Sequence, residues 1–147
     1  MAWDGTDKRR SMKLPPDPIP TNQRAELMGI VMALRWAAER CKEEYPDTRI
    51  NVRIRSDSEY ASKCMTEEIY ALSASVDNVA NGDLIQEASD LHGRIIANGS
   101  VVEPIIIPRD ENKLAARICQ SKLEDIHLAL ISNLTSLVND PKDSMFN

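Results

Sequence analysis

The sequence predicts an α/β domain with parallel strands, flanked by helices and closed by a long C-terminal helix. Three observations carry that expectation. Helical and strand periodicities alternate along the chain. The two strand-like segments, 50–56 and 101–107, are separated by helical patterns, as parallel neighbours require. The composition, 28% charged and 42% hydrophobic, is that of a globular chain about one domain in size.

Residues 1–20 hold Pro15, Pro16, Pro18 and Pro20 behind a polar lead-in that includes 8-KRR-10. Proline fixes φ and removes a backbone donor, so this segment reads as extended, with room for at most one irregular strand or hairpin. Thr21 then offers an N-cap, and Ala25, Leu27, Met28, Ile30, Val31, Leu34, Trp36, Ala37 and Ala38 recur with helical spacing as far as Cys41 or Lys42. Tyr45, Pro46 and Asp47 end that helix. In 50-INVRIRSDSEY-60, Ile50, Val52 and Ile54 alternate with Asn51, Arg53 and Arg55, which predicts a strand carrying Asp57 at its end.

A short helix is expected over Glu59–Met65, followed by a polar connection of small residues to Asp83. Asp83 reads as the N-cap of a helix over Leu84–Ala97, with Leu84, Ile85, Ala88, Leu91 and Ile95 on one face and Asn98-Gly99 as its stop. The run 101-VVEPIII-107 reads as a short buried strand in which Pro104 marks a bulge or an edge position. Leu114, Ile118, Leu123, Ile126, Leu130, Leu134 and Leu137 predict one long helix or a bent pair over 112–138. The expected organisation is an extended segment 1–20, a domain 21–138 and a tail 139–147.

A formal net charge of −5 argues against a broad grip on phosphate backbones, which are bound through concentrated Lys and Arg. Arg53, Arg55 and Lys63 read as a solvated face. Cys41, Cys64 and Cys119 are far apart, and His92 and His127 belong to no cluster, so a zinc site is not expected and the thiols read as free and buried. Neither a secretory signal nor a membrane-spanning apolar run is visible, and the expected location is intracellular, cytoplasmic or nuclear.

The stretch 21-TNQRAELMGIVMALRWA-37 resembles the first helix of type 1 ribonuclease H, with its Thr-Asn-x-Arg-Ala/Met-Glu-Leu pattern. The likeness continues in 54-IRSDSEY-60, similar to that family's strand end, in 81-NGDLIQEASDL-91, and in 101-VVEPIIIP-108 followed by 111-ENKLAARIC-119. About two thirds of the chain follows the family in order and spacing. The resemblance implies an RNase H-like mixed sheet flanked by helices, here with no counterpart of the first central strand. It also implies a site in which four carboxylates hold two divalent ions, Mg2+ or Mn2+, that cut the RNA strand of an RNA–DNA hybrid.

By that resemblance Glu26 and Asp57 are the catalytic and metal-binding acids, while Asn22, Gln23, Arg24 and Ser58 contact nucleic acid. The other two acids do not carry over. Asp4, in 4-DG-5, repeats a family dipeptide but aligns better with the second strand, and Asn112 aligns so that Ala116 stands where the fourth acid belongs. Asp4 and Asp110 are the available substitutes. The family's Gly-His loop is replaced by 108-PRD-110, its Trp- and Lys-rich protrusion by a segment without either residue, and Glu59 adds negative charge beside the groove.

The expectation is a degenerate, catalytically impaired module that binds nucleic acid or a protein partner, with an active hybrid-cleaving enzyme as the alternative. In the family the first strand lies beside the one that here ends at Asp57. A donated strand, the start 1-MAWDG-5, or self-association would complete the sheet. The apolar face of the C-terminal helix, Ile126, Leu130, Leu134 and Leu137, either covers the sheet or offers a docking surface.

Overall fold

Helix α1, Asn22–Glu43, begins where Thr21 turns extended backbone into helix, its side chain accepting a hydrogen bond from the Arg24 amide. The computed structural model describes residues 10–66, 69–71 and 79–138, and within the last of these not the side chains of 130 and 132–138. After α1 come strand β1, Asn51–Ser56, and the short helix α2, Glu59–Lys63. Residues 69–71 are helical. Helix α3, Gly82–Ala97, strand β2, Val101–Ile106, a 3-10 turn at Arg109–Glu111 and helix α4, Lys113–Val138, complete the order. Residues 10–20 contain no strand, and the start 1–5 and the tail 139–147 lie outside the described residues.

The chain divides into two units, Leu14–Asn112 and the remainder, in which the described elements are residues 10–13 and α4. In the first unit β1 and β2 run parallel in continuous register, from Asn51 opposite Val101 to Ser56 opposite Ile106. Helices α1 and α3 build the core by the spacing of their apolar residues. Leu27, Val31, Leu34 and Cys41 on α1 and Ile85 and Ile95 on α3 are fully buried, with Ile54 and Val102 joining from the strands. Each buried Leu or Ile stabilises the fold by roughly 1.5–3 kcal/mol relative to exposure.

The connections are held by side chains. Asn98 donates from Nδ2 to the carbonyls of Cys41 and Tyr45, satisfying acceptors left at the end of α1. Buried Ser100 accepts from the Ile50 amide, and the Val101 amide donates to the Ile50 carbonyl, which starts the parallel ladder. Gly99 makes the turn between them at φ 77°, a left-handed conformation that suits glycine.

Three local expectations need correction. The α3 helix starts before Asp83, with Asn81 at the N-cap position in left-handed conformation and without a side-chain cap bond. Asp83 therefore sits in the first turn, and its carboxylate is drawn instead to Arg24. The 101–107 segment is not a buried strand: Val102 and Ile107 are buried, whereas Val101 and Ile106 are 59% and 55% exposed. Val101 lies in the row of Glu103, which turns away from the helices, and Ile106 is exposed as the last residue of the strand. Pro104 sits opposite Ile54 in unbroken register, so among the described residues it occupies an edge strand and makes no bulge. Cys41 and Cys64 are buried free thiols, but Cys119 is exposed on α4. No helix among the described residues is long and apolar enough to cross a membrane.

Candidate functional site

Parallel strands direct their carboxyl ends to one side of the sheet, and in open α/β sheets that is where ligands bind. Here the side receives Asp57 and Ser58 directly after β1, and the Arg109–Glu111 turn and Asn112 after β2. Glu26, near the start of α1, reaches the same place. Ser58 Oγ donates to Glu26 Oε2 at 2.6 Å and accepts from the Ala61 amide at 3.1 Å, so one hydroxyl caps α2 and holds the carboxylate of α1. Asp57 Oδ1 accepts from Asn112 Nδ2 at 2.6 Å. Both carboxylates thus face neutral donors across elements far apart in sequence.

A second network lies beside the first. Arg24 is 7% exposed, and its guanidinium grips Asp83 with two hydrogen bonds, Nη1 to Oδ1 at 2.9 Å and Nη2 to Oδ2 at 2.5 Å. Nη1 also donates to Asn81 Oδ1 at 3.4 Å, and Asn81 Nδ2 donates to the Tyr60 hydroxyl at 2.9 Å. The bond from Arg24 holds the Asp83 carboxyl below its ordinary range, while burial pushes the Tyr60 hydroxyl up. The starts of α1 and α3 and the helix α2 are thereby clamped together.

Of the residues expected at the site, Glu26, Asp57 and Ser58 are brought together. Asn22 and Gln23 are exposed in the first turn of α1, and Arg24 points inward to Asp83. Asp110 is exposed in the 3-10 turn, and Asp4 lies outside the described residues. Among the described residues no group of three His, Cys, Asp or Glu side chains is placed to hold a metal ion. The nearby Glu111 pairs with Arg55 at 3.3 Å. The two carboxylates, held here by a hydroxyl and an amide, are hard oxygen donors of the kind divalent ions take. Sequence reasoning had missed Asn112 and Asn81 as contributors. Both stand inside recognised motifs, and the signal for either was its place in the motif.

A family model described as RNase H matches residues 2–98, more than half of the chain. The chain belongs to the RNase H family. That match spans Glu26, Asp57 and the whole Arg24 network, and it ends at Asn98, before β2. The α/β architecture, with its parallel strand pair and long C-terminal helix, agrees with an RNase H-like fold. RNase H domains bind RNA–DNA hybrids and generally depend on divalent metal ions. Searches of the curated proteins and of the solved structures give no match.

Proposed function

We propose that this RNase H domain binds RNA–DNA hybrid or related structured nucleic acid and is impaired in cleaving it. The observation that carries this reading is the pairing of Glu26 with Ser58 and of Asp57 with Asn112, with no third acid grouped with them among the described residues. The sequence resemblance adds Ala116, an apolar residue where a fourth acid belongs. Hydrolysis by two ions needs several negative charges within a few ångström, and two are too few to hold both ions in place.

Binding needs less. The exposed amides of Asn22 and Gln23 stand in the first turn of α1, suited to sugar hydroxyls and base edges in a shallow minor groove. Arg24 contributes by holding Asn81 and the α3 start in position. The surrounding cations are balanced: Arg53 pairs with Glu103, Arg55 with Glu111 and Lys63 with Glu59. Few phosphates are then neutralised, and the affinity should fall only shallowly with salt, by a slope of about 0.9 per phosphate engaged.

The test is incubation with a labelled hybrid in Mg2+ or Mn2+, beside the double variant Glu26→Gln, Asp57→Asn, together with gel shifts at two salt concentrations. A shift without cleavage is expected. Cleavage that disappears in the double variant overturns the impaired reading and establishes the active enzyme, with a substitute acid such as Asp4 or Asp110. Absence of any shift removes nucleic acid as the ligand and leaves a protein partner.

A further inference from the structure

The turn that follows β2 is built against Asp57. Ser56 lies opposite Ile106, and the Ile107 amide donates to the Ser56 carbonyl at 2.9 Å, so Asp57 and Pro108 leave the two strands at the same end. Pro108 has no amide hydrogen for a further rung, and the chain turns there. The Glu111 amide donates to the Pro108 carbonyl at 2.9 Å and the Asn112 amide to the Arg109 carbonyl at 3.2 Å. Asn112 closes this turn on Asp57, its Nδ2 donating to Oδ1 at 2.6 Å. Arg109 opens it, three residues and about 6 Å of 3-10 backbone away.

The other cations along these strands already have partners. Arg24 is buried on Asp83, and Arg53, Arg55 and Lys63 lie against Glu103, Glu111 and Glu59. Arg109 is exposed and has no carboxylate partner among the described residues. Lys42 and Arg94, in the last turns of α1 and α3, and Arg49, just before β1, belong to the opposite end of the sheet. Six-residue strands put that end about 20 Å away.

The acids at the carboxyl end give an unpaired cation a task. Glu26, Asp57 and the exposed Asp110 bring negative charge to the place where a strand of nucleic acid would lie, and a phosphodiester there is repelled. A guanidinium offsets that repulsion and offers paired N–H donors that fit phosphate oxygens. Arg55 would have to leave Glu111 to do the same, whereas Arg109 has no ion pair to break. We propose that Arg109 binds a backbone phosphate of nucleic acid held at the carboxyl end of the strands. This rests on the function proposed above and names the side chain that anchors the backbone there.

The test is a series of gel shifts of the full chain on a labelled RNA–DNA hybrid, taken from low to moderate salt. Arg109→Gln should weaken binding and lower the salt slope by about 0.9, so that its deficit against the wild type shrinks about 3.5-fold between about 50 and 200 mM salt. Arg109→Lys keeps the charge and should keep the slope. Arg94→Gln, an exposed cation at the far end, should bind as the wild type does. Each exposed site should tolerate its substitution with an unchanged urea transition. Wild-type binding with the same slope in Arg109→Gln, an equal loss in Arg94→Gln, or a slope lost as fully in Arg109→Lys overturns the assignment and leaves the proposed function standing. A wild-type chain that shifts no hybrid at any salt overturns both.

Discussion

Arg24 shows how one side chain orders a region. A buried guanidinium needs partners for its donors, and here Asp83 and Asn81 accept three hydrogen bonds from it. Asp83 is 49% exposed, so its carboxylate regains water if the arginine is removed. Arg24→Met should therefore cost about 2 kcal/mol, below the usual range for breaking a fully buried pair, as read from urea unfolding. The pH dependence follows from the depressed carboxyl of Asp83. A group whose pKa is lower in the folded state stabilises the fold above its unfolded pKa, about 3.9 for Asp, and this stability is lost as pH falls through the folded value. Solvent screening keeps the effect modest. Asp83→Asn should flatten the stability curve below about pH 4, and an acid limb as steep as that of the wild type would contradict the assignment.

Among the elements, the junction between β1 and α2 does two tasks with one residue. Ser58 caps α2 through the Ala61 amide and supplies the hydroxyl that Glu26 accepts. Ser58→Ala removes both contacts, and the expected loss is about 1–2 kcal/mol. Because Glu26 would lose its neutral donor, the same variant should also change hybrid affinity in the gel shift. A stability loss with unaltered affinity would confine Ser58 to capping. At the other end of the strands, Asn98 and Ser100 join the end of α1 to the starts of β1 and β2, so the parallel register is set before the strands reach Asp57 and Asn112.

At the scale of the whole molecule the chain divides into two units, and the helix α4 belongs to the second. The residues of the main hydrophobic cluster fall between Leu27 and Val102, within the Leu14–Asn112 unit. Stability of a domain follows the apolar surface it buries. A chain ending at Asn112 keeps every residue of that cluster and should therefore still unfold cooperatively, as measured by urea denaturation. Loss of the transition would show that α4 contributes essential buried surface.

Helix α1, strand β1 and helix α3 were legible from periodicity, because a face that must be buried repeats every 3.6 or 2 residues and this is a local property. Glu26 and Asp57 were legible because each sits in a short contiguous motif. Their partners were not. Ser58 meets Glu26 across 32 residues, Asn112 meets Asp57 across 55, and Arg24 meets Asp83 across 59. The same limit explains why Asp83 read as a cap and 101–107 as buried: a local pattern says which side chains turn inward, but not what waits there. Sequence alone therefore determined the order of the elements and the family, and it singled out Glu26 and Asp57 as candidate acids. The packing of α1 on α3 and the register of two parallel strands decided that those acids bind neutral donors and that Arg24 turns inward, because long-range partners are chosen by where whole elements come to rest.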